Sequence, residues 1–273
     1  MGAHGISPSS PWDQPFTAEE LDEIDAAADS VSATRPSRKR VSVSDPQHAR
    51  RSLRLRRLPP SFSSPDFSGN TKESYPVMTF EGRISYSQTS KDVEKAAAEL
   101  LKEINMLKLK NSRVVLGFDI EWKPTFRKGC APGKAALMQI CCSASFCYAM
   151  HIFHSGITPT LKHILEDDSV LKVGAGIAND ATKIARDYDV SLQGFKELSD
   201  VAKKKLVDRT WGLSSLVKSV MHMELLKPKT IRLGNWEAAV LSEEKLNYAA
   251  TDAFASWRLY HVLDSLPDVK HQH

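Results

Sequence analysis

Between Val114 and Phe118 the chain runs Val-Val-Leu-Gly-Phe, and two carboxylates follow at once, Asp119 and Glu121, ahead of Trp122. A β-branched apolar run of this kind reads as a central strand buried on both faces. Residues i and i+2 of a strand share a face, so both acids project together from one side of the sheet. Like charges in an apolar setting are costly unless positive charge joins them. The chain must build a sheet around this strand and bring something to its acidic end.

Composition divides the chain before any fold is considered. Of the 14 prolines, eight lie in the first 75 residues, beside 14 serines and only three glycines. Residues 1–75 are therefore expected to be a disordered tail, and residues 76–273 to form one domain with a sizeable core. Charge is segregated within the tail. Residues 1–30 hold seven acids and no Lys or Arg, whereas residues 31–60 hold nine bases against Asp45. Thr17-Ala-Glu-Glu20 has capping-box spacing ahead of Leu21, Ile24 and Ala28, so a short acidic helix is expected there, as a transient element or a docking motif. The basic clusters Arg35–Arg40 and Arg50–Arg57 resemble a bipartite nuclear import signal, and nuclear residence is expected.

The formal net charge of +4 falls wholly in residues 81–273. So small an excess excludes a protein that coats nucleic acid by bulk charge. The start lacks a basic region followed by an apolar one, so no secretory leader is expected. The longest apolar stretch, Ala135–Phe153, is broken by Gln139, Ser143, Ser145 and His151, and reads as two strands rather than a membrane span. The four cysteines (Cys130, Cys141, Cys142, Cys147) form no CxxC pair and are expected to be reduced thiols. Adjacent Cys141 and Cys142 should face opposite sides of a strand.

Local pattern predicts a hairpin over Val77–Ser87 around Glu81-Gly82, a helix over Ser90–Leu107, and strands at 114–122, 136–142, 146–153 and 170–174. Further helices are expected over Thr160–Glu166, Asp180–Asp187, Leu213–Met223 and Glu243–Leu266, the last capped by Ser242 and stopped by Pro267. Strands grouped early and helices interleaved later make an α/β protein with a mixed central sheet flanked by helices.

Two more carboxylates sit in unusual places. Asp180 follows the turn Gly174-Ala-Gly176 near a helix start, and Asp252 lies in the small, apolar helical run Tyr248-Ala-Ala-Thr-Asp-Ala-Phe254. Helical spacing puts Tyr248 and Asp252 on one face. Taken singly, Asp180 reads as a cap, Asp252 as an exposed charge and Tyr248 as a core aromatic. Together, Asp119-Ile-Glu121, Asp180 and Tyr248-x-x-x-Asp252 resemble the DEDDy group of 3′→5′ exonucleases. Phe118–Trp122, Gly133–Ile140, Ala175–Asp180, Glu197–Leu206, Trp211–Val217 and Tyr248–Ala253 further resemble the Werner syndrome-like exonucleases, over roughly residues 77–266.

The resemblance implies an RNase H-like (DnaQ-like) fold and a two-metal-ion phosphodiester hydrolase acting on DNA 3′ ends, recessed duplex ends favoured, in repair or recombination. Hydrolysis at a phosphodiester needs an activated water and stabilisation of the departing 3′ oxygen, which two divalent ions roughly 4 Å apart supply. Hard oxygen ligands select Mg²⁺ or Mn²⁺. By the resemblance Asp119 bridges both ions, Glu121 and Asp252 complete one site, Asp180 supports the other, and Tyr248 orients the attacking water. Trp211 corresponds to an aromatic against the terminal nucleotide, a buried core tryptophan being the equal alternative. Lys134, Lys227, Lys229 and Arg232 flank the cleft in sequence and are candidates for backbone phosphates. A RecQ-type helicase or an end-binding protein is the expected partner. The competing readings are an RNase D-like enzyme trimming RNA and a non-catalytic scaffold that binds DNA ends. Gly133-Lys134 lacks phosphate-loop spacing, Gly174-Ala-Gly176 lacks the third glycine of a dinucleotide fingerprint, and His151-x-x-His154 ends a strand.

Overall fold

A computed structural model of the chain describes residues 75–110, 113–125, 131–206 and 212–269. The tail expected over residues 1–75 lies outside the described residues except for Tyr75, and so do Cys130 and Trp211.

Among the described residues six strands form one mixed sheet, in the order β1 (Arg83–Ser87), β4 (Phe146–Met150), β3 (Ala135–Cys141), β2 (Val114–Trp122), β5 (Val170–Gly174) and β6 (Phe195–Glu197). β2 runs antiparallel to β3 and parallel to β5, β3 and β4 are antiparallel, and β1 and β6 add in parallel at the edges. The helices are α1 (Ser90–Lys110), α2 (Ile152–Ser155), α3 (Pro159–Glu166), α4 (Ile177–Tyr188), α5 (Leu198–Lys205), α6 (Leu213–Met221), α7 (Lys229–Arg232) and α8 (Glu243–Ser265). No helix among them is long and apolar enough to cross a membrane.

Alternation along β2 decides which layer each residue joins. Leu116, Phe118 and Ile120 pack with Val93, Leu100 and Ile104 of α1 and Leu161 and Ile164 of α3. Val115 joins Ala250, Ala253 and Leu259 of α8, Leu198 of α5 and Leu216 of α6 on the other side. Every residue of α8 from Tyr248 to Ser256 is buried, which is why that part of its sequence shows no polar stripe. Ser242 starts it by accepting a hydrogen bond from the Lys245 N–H at 3.3 Å. The cysteines divide as expected, Cys141 Sγ toward the Ala250 carbonyl of α8 and Cys142 Sγ toward Glu103 of α1.

Two expectations fail. Val77–Phe80 does not pair with β1 as a hairpin; Val77 bridges to Glu224 instead, and β1 pairs in parallel with β4. Gly82 is small because of a close approach, since a Cβ there would lie 2.6 Å from the Ser145 carbonyl carbon. β4 also stops at Met150, short of Phe153. There the buried His151 turns in to bond the Tyr86 hydroxyl through Nδ1 (2.8 Å) and the Trp236 carbonyl through Nε2 (3.0 Å).

Candidate active site

β2 and α8 meet where glycine removes the obstacle between them. A Cβ on Gly117 would stand 2.1 Å from the Ala253 carbonyl oxygen and 2.6 Å from Trp257 Cβ. Glycine inside a strand marks such an approach, and the small Ala253 completes it from the helix side. The contact carries Asp252 to the acids of β2. One carboxylate oxygen from each of Asp119, Glu121 and Asp252 lies within 4.8 Å of the other two. Glu121 and Asp252 are buried, at 8% and 2% exposure, while Asp119 is partly open to solvent.

Asp180 stands outside that group but within its field. It is buried in the first turn of α4, whose cap, Gly176, takes the left-handed conformation at φ 85°. The Gly176 N–H donates to both carboxylate oxygens of Glu197, at 3.0 and 2.9 Å, which fixes the turn that presents Asp180.

The electrostatics of the four acids run in one direction. Burial first, then Asp252 and Asp180, raises Asp119 well above the usual carboxylate range. Burial, then Asp119 and Asp252, does the same to Glu121. Asp180 is pushed up to about 7 by burial and by Glu197. Asp252 is raised by burial, with Lys227 and then the Tyr248 hydroxyl working against the rise. Lys227 Nζ hydrogen-bonds Asp252 Oδ2, whereas Asp252 Oδ1 is buried with no hydrogen-bond partner among the described residues. A cluster of acids so short of positive charge, all with oxygen donors and one orphaned oxygen, fits hard divalent cations such as Mg²⁺ or Mn²⁺.

Tyr248 sits one turn before Asp252, nearly buried, its ring 6.3 Å from that of Trp236. Burial and then the carboxylates of Asp252, Glu121 and Asp119 push its phenol far above the ordinary value, so it keeps its proton. Lys227 Nζ lies 5.2 Å from the Tyr248 ring centroid, which places this lysine inside the site rather than on its flank. Lys229 and Arg232 are exposed on α7. Lys134 is exposed beside the Tyr188 ring, at 5.8 Å from its centroid. His151 and His154 stack edge to face at 4.4 Å and each bonds a backbone carbonyl, a structural pair.

Sequence reasoning did not single out Gly117 or Glu197, nor the buried amide of Gln139, the cross-strand partner of Asp119. Gly117 carried a readable signal, a glycine inside a β-branched run. Glu197 carried none, because its partner lies 21 residues earlier on another turn.

The family profile described as "3'-5' exonuclease" matches residues 88–266. An Arabidopsis thaliana protein named 3'-5' exonuclease is 43% identical, over 95% of this chain and 98% of its own length. The mouse "bifunctional 3'-5' exonuclease/ATP-dependent helicase WRN" is 41% identical over 72% of this chain, which corresponds to 14% of the mouse protein. Trypanosoma brucei RNase D superposes with a TM-score of 0.57 at 20% identity, covering 70% of this chain and 68% of that one. The Aedes aegypti Nibbler EXO domain does so with a TM-score of 0.55 at 19% identity, covering 68% of this chain and 90% of that domain. The fold is thus RNase H-like, and the chain belongs to the 3′→5′ exonuclease family. It is a phosphodiester hydrolase of the class that the acids and the tyrosine imply.

Proposed function

We propose that this exonuclease removes nucleotides from DNA 3′ ends, recessed duplex ends favoured, using two Mg²⁺ or Mn²⁺ ions, and that it serves DNA repair or recombination in the nucleus. The meeting of Asp119, Glu121 and Asp252 over Gly117 carries the catalytic part of this reading. Held by these three acids, with Asp180 supporting the second position, the ions would supply a nucleophilic water near neutral pH and stabilise the departing 3′ oxygen. The protein's own share is placement. β2 fixes two acids in register, α8 delivers the third, and the Glu197–Gly176 turn holds Asp180. The protonated Tyr248 hydroxyl orients the attacking water by a hydrogen bond without acting as a base.

The reading of DNA rests on the Werner-type resemblance, supported by the 41% identity to the mouse exonuclease/helicase. The name of the mouse protein joins exonuclease and helicase, and by that analogy a RecQ-type helicase or an end-binding protein is the proposed partner. The test is a set of 5′-labelled substrates, recessed, blunt and single-stranded DNA beside RNA, with Mg²⁺, Mn²⁺ or excess chelator. Shortening of recessed DNA that stops in chelator is the expected result; faster trimming of RNA would replace DNA by an RNase D-like role, and binding without cleavage would leave a scaffold. Removing residues 1–75 should spare cleavage in vitro and reduce nuclear accumulation.

A further inference from the structure

The lysine inside the acidic centre is unusual for its company. Three carboxylates meet, with Asp180 nearby, and among the described residues the ammonium of Lys227 is bonded to Asp252 Oδ2 while also lowering the proton affinity of Asp119 and Glu121. The segment that carries it is anchored on both sides. Glu224 bridges to Val77, the Leu225 side chain is buried, and Ile231 is buried in α7. The Lys227 side chain itself keeps 28% exposure, whereas that of Asp252 keeps 3%. The backbone is therefore fixed and the aliphatic stem is the part that can swing toward solvent.

Charge balance says what the lysine is for. Without ions, one ammonium is the nearest compensation available to the buried Asp252, whose loss would leave an uncompensated buried charge. With two dications the four acids are neutralised and the ammonium becomes surplus. We propose that Lys227 is an internal counter-cation that competes with metal for Asp252, holding the ion-free cluster together and weakening the affinity of the centre for divalent ions. The proposal rests on the two-ion reading above.

The test is Mn²⁺ binding to the full chain without nucleic acid, followed at fixed pH by electron paramagnetic resonance, together with thermal unfolding in chelator. Lys227→Met should bind Mn²⁺ about tenfold more tightly, because a competing charge is gone. It should also melt at a lower temperature than wild type without metal and gain more from Mn²⁺. Lys227→Gln gives a second neutral variant should the methionine disturb folding. Lys227→Arg, which keeps the charge, should stay within about threefold of wild type. Unchanged or weaker Mn²⁺ binding in both neutral variants overturns the proposal, as does equal tightening in Lys227→Arg. A wild-type chain that binds no Mn²⁺ overturns the two-ion reading and this proposal with it, whereas wild-type binding with no difference between variants overturns this proposal alone.

Discussion

Two aspartates in this molecule, one partly buried and one fully buried, each pair with a lysine, and their environments drive them in opposite directions. Asp187 accepts from Lys183 Nζ at 2.8 Å, from the Ala135 N–H at 2.8 Å and from Arg186 Nε at 3.2 Å. Lys183 in turn donates to the Gly133 carbonyl at 2.6 Å. Burial alone would raise Asp187, but these bonds outweigh it and the carboxyl is held below its ordinary value. Asp252 has Lys227, the Tyr248 hydroxyl and one orphaned oxygen, and burial wins. A buried ion pair is settled when every lone pair has a partner, and strained toward further cations when it does not. The first pair pins the start of β3 to α4. The second leaves a centre that is short of positive charge.

The largest break in this comparison comes from removing the unsettled acids. Asp119→Ala combined with Glu121→Ala should lower exonuclease activity at least about 10³-fold, beyond what loss of one transition-state donor costs. The same variant, melted in chelator, should unfold at a higher temperature than wild type because repelling charges have gone. Activity equal to wild type would remove these residues from the chemistry. Asp187→Asn should do the reverse, costing about 3 kcal/mol of stability by stranding Lys183, with turnover per folded molecule kept. Urea unfolding beside a labelled-end assay separates the two outcomes.

Next in size is Gly117→Ala, which forces a methyl group against the Ala253 carbonyl and should cost about 3 kcal/mol as overpacking. Because the displaced helix carries Asp252, activity should fall further than in Asp187→Asn at equal stability. Equal losses would show that the β2–α8 distance does not set the geometry of the acids.

Much of this was legible in the sequence because it rests on local pattern. β2, β5 and α8 follow from β-branched runs and helical spacing, and the placement of Asp119 and Glu121 on one face follows from strand alternation. What was not legible depends on distant partners. Glu81-Gly82 has the composition of a hairpin turn, yet Gly82 answers to Ser145, more than 60 residues on. β6 and α5 gave little signal, since Phe195–Glu197 is a short, largely exposed edge strand and α5 is capped by Glu197, a side chain also committed to Gly176. Lys227 was read as a flanking phosphate contact because spacing says nothing of a loop folding back onto α8.

The smallest effect in this set is a dependence on pH, and its sign distinguishes the acidic centre from the rest of the core. His151 is held neutral, lowered to about 4 by burial, so its contribution is present above about 6.5 and is lost as pH falls from there toward 4. Asp180 is raised to about 7, above its unfolded value near 4, so its contribution is present at low pH and is lost as pH rises through 7. The two oppose each other between pH 4 and 6.5. Above 6.5 His151 no longer changes, and the acids are opposed by the buried Lys172, lowered to about 8, as pH approaches that value. Stability in chelator should then decline between pH 6.5 and 8, by about 1 kcal/mol from Asp180 alone. Saturating Mn²⁺ should abolish that decline by favouring the charged carboxylates, while His151→Gln should flatten only the acid limb. A decline just as steep in Mn²⁺ would mean that these acids do not hold the ions, and the contrast between the settled Asp187 and the unsettled Asp252 would then need another cause.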